Sequence, residues 1–268
     1  MSTRILFTLG SATILIGVEL VSVFGHGRPT EEMKPGGPAR QAVVVELFTS
    51  EGCSSCPPAD ELLKKLSEEQ PVAGAEIIAL EEHVDYWNQL GWKDPFSSSE
   101  FSERQSEYAS RLRNRNVYTP QMIIDGQTEF AGGHASEARE AVRRAAGTAK
   151  VELQLTRKPG ANRDTATFEA QIHQRPGGRD LELWVAVTEK NLRVDVKAGE
   201  NSGRALAHAP VVRLLKKTGT LSASGVPGME FSVKLQSDWR RENLSVVAFL
   251  VERGTGRIAG AARLPAGD

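Results

Sequence analysis

The chain has 268 residues, 40% hydrophobic and 25% charged, an ordinary soluble-globular balance with room for one large domain or two average ones. A net charge of −1 excludes the broad basic field that draws nucleic acid or anionic membranes, so any partner has to be read from a site. The chain holds two cysteines, Cys53 and Cys56, which leaves no second pair for a four-cysteine metal site.

The chain opens with MSTRILFTLGSATILIGVELVSVFGHG. Arg4 supplies a positive start, residues 5–18 form an apolar stretch of signal-peptide length, and Val23 and Gly25 are small residues placed for cleavage. Glu19 interrupts the run and argues against a spanning helix, because a carboxylate in hydrocarbon is costly. Residues 1–27 therefore read as a signal peptide, or as an N-terminal anchor if uncleaved, and the Pro- and Gly-rich stretch 28–40 as a flexible tether. This places the folded part outside the cytoplasm, periplasmic or extracellular, where disulfides persist.

Residues 41–48 (QAVVVELF) are β-branched and apolar, as a buried central strand requires. A helix follows from Pro57, with Ala59, Leu62, Leu63 and Leu66 on one face and Asp60 and Glu61 in its first turn. Residues 76–80 (EIIAL) read as a second strand and 101–112 as a charged surface helix. Residues 121–124 and 128–131 form a hairpin around Asp125-Gly126, and 136–146 form an amphipathic helix. From residue 148 onward apolar residues alternate through 151–155, 168–172, 181–187, 192–196, 231–235 and 246–248, the pattern of an antiparallel sandwich. Residues 209–217 fit either a strand or a helical turn.

The C-x-x-C pair sits between the first strand and the first helix. Unsatisfied backbone N–H groups there favour a thiolate at Cys53, whereas Glu46, Glu51, Asp60 and Glu61 oppose it. The balance points to a modest pKa depression and a poise nearer ~−200 to −270 mV than ~−120 mV. Three chemistries fit the pair on position alone: a redox centre, a structural staple, or part of a metal site. A staple closing so short a loop removes little unfolded-chain entropy, and His83, His134, His173 and His208 have no motif spacing to the cysteines.

The succession of a strand, C-x-x-C, a helix, then Tyr118-Thr119-Pro120, a DG hairpin, a strand ending in AGG and a last helix resembles the thioredoxin superfamily over residues 41–147. That resemblance implies an α/β thioredoxin-like domain at 41–147, from which an aromatic-rich insertion at 83–116 departs; the alternation from residue 148 onward adds a mostly antiparallel all-β sandwich-like domain at 148–268. It also implies a cis Thr119–Pro120 bond beside the cysteines, with Cys53 attacking, Cys56 resolving, and Tyr118, Thr119 and Pro120 shaping a substrate site. His83 and Asp85 are candidates for proton transfer, with a satisfied structural role as the competing reading for His83, and Tyr86, Trp87 and Trp92 are candidates for a groove. LFTSEGCSSCPPAD, HVDYWNQLGWKDPFSS, VYTPQMIIDG and GENSGRALAHAPVVR together look like an exported bacterial domain-of-unknown-function family, number 1223.

The expected activity is extracytoplasmic thiol–disulfide exchange on protein or small thiol substrates. The expected cofactor is none beyond the Cys53–Cys56 disulfide, the expected metal is none, and contact with a membrane would be through an uncleaved N-terminus alone. The alternatives are a non-catalytic exported binding protein with a structural disulfide, and a copper-delivery protein. The loop GENSGR at 199–204 reads as a polar loop between strands, a turn by default, with a binding role as the alternative.

Overall fold

A computed structural model describes residues 40–112, 116–162, 164–174, 179–222 and 228–266. The segment expected to be a signal peptide or anchor (1–27) and all of the expected tether (28–40) except Arg40 lie outside the described residues.

Strand β1 (Gln41–Thr49) is buried from Val43 to its end. Its side chains alternate between two cores. Val43, Val45 and Leu47 meet α1 (Pro57–Glu69) and α3 (Ala135–Ala146), while Val44 and Phe48 face the layer of α2 (Ser99–Arg111). Burial on both faces explains why β1 is a continuous apolar run. It pairs in parallel with β2 (Ala75–His83) and antiparallel with β3 (Gln121–Ile124), which turns into β4 (Thr128–Ala131). The turn holds Asp125 at φ 47° and Gly126 at φ 67°, the two left-handed positions an Asp-Gly hairpin supplies.

The outer edge of β2 does not end the sheet. Strand β10 (Val211–Leu221) joins it in parallel through Val211 and Glu81, and the Glu81 N–H donates to the Pro210 carbonyl at 3.1 Å. Strands β7 (Leu181–Glu189), β12 (Leu244–Glu252) and β13 (Ile258–Pro265) continue outward, giving one eight-stranded mixed sheet in the order β13-β12-β7-β10-β2-β1-β3-β4. A three-stranded sheet of β5 (Glu152–Asn162), β6 (Thr165–Gln174) and β11 (Gly228–Lys234) contributes Leu155, Phe168 and Val233 to a core shared with Val185, Val187 and Val246. A two-stranded ladder joins β8 (Arg193–Asp195) to β9 (Ala205–Ala207).

This sheet overturns the expected fold class. There is no α/β thioredoxin-like domain followed by a separate sandwich-like domain; the described residues are mostly strand, with three α-helices. The physical reason is the open edge of β2. An edge strand exposes unpaired N–H and C=O groups, and β10 covers this one. The cores follow the sheet: Val44, Ile78, Leu80, Val212, Val247 and Phe249 belong to one cluster drawn from both halves of the sequence. Residues 209–217, open between two conformations, fall largely in strand β10.

Arg104 on α2 stitches the halves together. Its Nε donates to Glu46 Oε1 of β1 at 2.6 Å, and its guanidinium carbon lies 4.9 Å from the Trp184 ring centre and 5.5 Å from that of Phe249. Tyr108 donates to the other Glu46 oxygen at 2.5 Å. Glu82 lies alongside, pushed well above the usual carboxylate range by burial and by the Glu46 charge.

Candidate functional site

Cys53 and Cys56 form a disulfide with Cα atoms 5.4 Å apart, at the turn that opens α1. Pro57 and Pro58 occupy the first two helical positions, where a missing N–H costs nothing. The Cys56 carbonyl accepts from Ala59 N–H at 2.8 Å and Asp60 N–H at 3.1 Å, so the motif leads directly into the helix.

The Thr119–Pro120 peptide is cis, and the Thr119 carbonyl oxygen lies 3.9 Å from Cys53 Sγ. Gly132 permits this approach. A Cβ there would stand 2.8 Å from Leu47 Cδ1, 3.0 Å from Ala59 and 3.3 Å from Pro120. The Thr119 hydroxyl accepts from the Trp87 indole at 2.9 Å, and Trp87 packs over Gly52, whose added Cβ would meet Trp87 Cβ at 3.2 Å. Trp92 donates its indole N–H to Glu51 Oε2 at 2.7 Å. Of the three groove candidates, Trp87 and Trp92 touch the motif or its flank. Tyr86 instead donates to Gln105 of α2 at 3.2 Å.

Tyr118 turns away, donating its hydroxyl to Glu129 on β4 at 2.6 Å. Asp85 accepts from Ser102 on α2 at 2.6 Å. The structure thus brings together Cys53, Cys56, Thr119, Pro120, Trp87 and Trp92, with the Tyr86 hydroxyl between Gln105 and Thr119, and points Tyr118 and Asp85 elsewhere.

Both cysteines are 0% exposed, and a segment from far along the chain bonds to the backbone of their motif. Between β8 and β9 lies the GENSGR loop. Asn201, itself 0% exposed, donates from Nδ2 to the Glu51 carbonyl at 2.8 Å and to the Cys53 carbonyl at 2.9 Å. Glu200 accepts the Ser54 N–H at 2.9 Å, and Arg204 donates to Asn201 Oδ1 at 2.8 Å, fixing the amide's orientation. The stretch expected to be a simple polar turn is a clamp on the cysteine motif.

Next to the motif lies a buried polar network. His83, at the end of β2, contacts Asp94 Oδ2 through Nδ1 at 2.7 Å and Glu81 Oε1 through Nε2 at 3.2 Å. His208, just before β10, contacts the same Glu81 oxygen through Nδ1 at 2.9 Å and Glu51 Oε1 through Nε2 at 3.1 Å. Asp94 Oδ2 also accepts the Glu51 N–H at 2.8 Å. Burial would lower both histidines, but the Asp94 charge holds His83 well above its ordinary value, and Glu81 with Glu51 brings His208 to about 9. Asp60, one helical turn beyond Cys56, accepts from Thr49 at 2.6 Å. It is pushed up to about 7 by burial and the Glu81 charge.

Glu51, Glu81, Asp94, Asn201 and His208 were not singled out as site residues from the sequence. Glu81 carried no signal beyond its position at the end of an apolar run, and His208 joins it across 127 residues.

A family model described as "Protein of unknown function (DUF1223)" matches residues 44–251. The chain belongs to the DUF1223 family. The match spans both halves of the eight-stranded sheet and includes the cysteine motif, the cis-proline segment and the 199–204 clamp. Among solved structures, a structural-genomics protein of Agrobacterium tumefaciens is similar at 28% identity and a TM-score of 0.64, over 87% of this chain and 97% of its own. HBP35 of Porphyromonas gingivalis is similar in fold at 18% identity and a TM-score of 0.61, over 86% of this chain and 76% of its own. No curated protein matches the chain.

Proposed function

We propose that this DUF1223 protein is an exported thiol–disulfide oxidoreductase acting through Cys53 and Cys56. A substrate thiolate attacks Cys53 Sγ, forming a mixed disulfide and releasing Cys56 as a thiolate. A second substrate thiol then displaces Cys53, leaving an oxidised substrate and a reduced pair; the reverse sequence reduces a substrate disulfide. Two electrons and two protons move in either direction. Residues 1–27 support export, as does a disulfide pair that persists in oxidising compartments.

The observation that carries this reading is the placement of Cys53 Sγ 3.9 Å from the Thr119 carbonyl, where an extended polypeptide can pair with backbone. Two exposed large apolar side chains support a polypeptide substrate. Leu90 is 57% exposed on the loop that carries Trp87 and Trp92, and Val117 is 44% exposed just before Tyr118. Because Cys53 is buried and its carbonyl is held by Asn201, opening of this clamp is the gating step the reading assigns to the loop, of a kind loops commonly provide. Insulin reduction by the full chain, with Cys53→Ser as control, tests the assignment; equal rates in the two proteins reject it.

Complete burial of both sulfurs favours a second reading, a non-catalytic exported binding protein with a structural disulfide. That protein would keep its disulfide in glutathione buffers that reduce a catalytic pair.

A further inference from the structure

We propose that Glu81, His83 and His208 form a binding site for one borderline divalent transition-metal ion, zinc being the best fit to the donor set. The three side chains lie between 0% and 2% exposed, and one ligand atom from each falls within 4.8 Å of the others. Glu81 Oε1 is already 3.2 Å from His83 Nε2 and 2.9 Å from His208 Nδ1. A tetrahedral ion with bonds of ~2.1 Å sets its donors about 3.4 Å apart, so little movement closes the set. Two imidazoles and a carboxylate form a zinc donor set that leaves a fourth position for water or another ligand.

Two further observations point to a cation. The second oxygen of Glu81, Oε2, is buried without a hydrogen-bond partner, although buried carboxylate oxygens are rarely left so. All four ring nitrogens of the two histidines also face carboxylate oxygens: Glu81 on the inside, Asp94 and Glu51 on the outside. Ionised carboxylates only accept, and a neutral imidazole has one N–H. With the three carboxylates ionised, meeting all four contacts takes either two imidazolium ions with ring centres 5.1 Å apart, or one dication in place of the two inner protons. The dication keeps the net charge unchanged. It also leaves each histidine donating its outer N–H to a carboxylate, the arrangement that orients metal-bound imidazoles.

A cavity of about 450 Å³ borders His208 and is also lined by Lys64, Glu76, Ala79, Thr188 and Pro210, which leaves a short path for an ion to the buried ligands. The site uses neither cysteine, so it stands apart from the exchange chemistry proposed above.

The test uses the full chain with its disulfide intact, stripped with chelator and titrated with Zn²⁺ against an indicator dye, then with Co²⁺ by absorption. The expected result is one equivalent per chain and a Co²⁺ visible spectrum of low coordination number, without the near-ultraviolet band of thiolate ligation. Glu81→Gln and His208→Gln should abolish stoichiometric uptake. The milder Asp94→Asn, which keeps the ligands, should weaken it roughly 10- to 100-fold. The exposed His134→Gln should leave it unchanged. Absence of stoichiometric binding to the wild-type chain would overturn the site whatever the variants do. So would binding that survives His208→Gln in a folded variant, or that appears only after the disulfide is reduced.

Discussion

The side-chain amide of Asn201 donates to the main-chain carbonyl of Cys53 across 148 residues of sequence, at 2.9 Å. The same nitrogen reaches the Glu51 carbonyl, so one buried residue holds both sides of the turn that presents the disulfide.

Asn201→Ala should open the motif. It strands two buried carbonyls, each costing about 1–3 kcal/mol if water does not reach it. The expected outcome is a lower Tm together with faster reduction of Cys53–Cys56 by dithiothreitol, followed by alkylation and mass spectrometry. Reduction at the wild-type rate would show that the loop does not control access.

Leu90, on the loop that carries Trp87 and Trp92, and Val117, two residues before Thr119, are exposed apolar side chains. Replacing both with Ser should raise KM for a polypeptide disulfide by roughly fivefold per lost contact, taking about 1 kcal/mol for partial burial of each against substrate. Turnover of glutathione disulfide, which offers no apolar side chains to these two residues, should not change. Parallel steady-state kinetics on the two substrates give the comparison.

Asp60 carries a pH prediction with a definite sign. Its pKa is raised from an ordinary 3.8 to about 7 in the folded chain. A raised folded value favours the protonated native state, so its full contribution is present below the unfolded pKa and is lost as pH rises toward 7. The loss is on the order of 4 kcal/mol across that window. Asp60→Asn keeps an oxygen for Thr49 and removes the titration. In chelator-treated protein, the variant's urea midpoint relative to wild type should rise between pH 5 and 8. A constant difference across that range would contradict the assignment.

Arg104 links Glu46 of β1 to the aromatic faces of β7 and β12. Arg104→Met leaves buried Glu46 without its cation, and breaking such a pair costs about 3–5 kcal/mol. Adding Glu46→Gln should recover part of that loss. Chemical denaturation of the single and double variants measures the recovery.

Much of the site's local scaffolding was legible in the chain. Ala59, Leu63 and Leu66 follow helical spacing, Asp125-Gly126 carries hairpin chemistry, and the run 41–48 reads as the buried strand it is. The arrangement of sheets was not legible, because Val211 pairs with Glu81 across the gap between the two halves and no local pattern encodes that pairing. The apolar run 76–80 stops short of Glu81, Glu82 and His83, which strand β2 nevertheless includes. They are buried because Arg104, His208 and Asp94 supply charge partners from other elements. GENSGR looked like a turn because its composition is that of a turn, while its destination is set by the β8–β9 ladder. Asp94 and His208 carried no spacing signal, since His83 meets one across 11 residues and shares Glu81 with the other across 127.

The most direct test of the exchange chemistry is the midpoint potential of Cys53–Cys56 in the full chain, titrated in glutathione and dithiothreitol buffers with acid quench and alkylation. A catalytic pair should titrate near ~−200 to −270 mV, within reach of physiological dithiols. A midpoint below about −300 mV, with no reduction by glutathione even in Asn201→Ala, would mark the bond as a permanent cross-link and contradict the account.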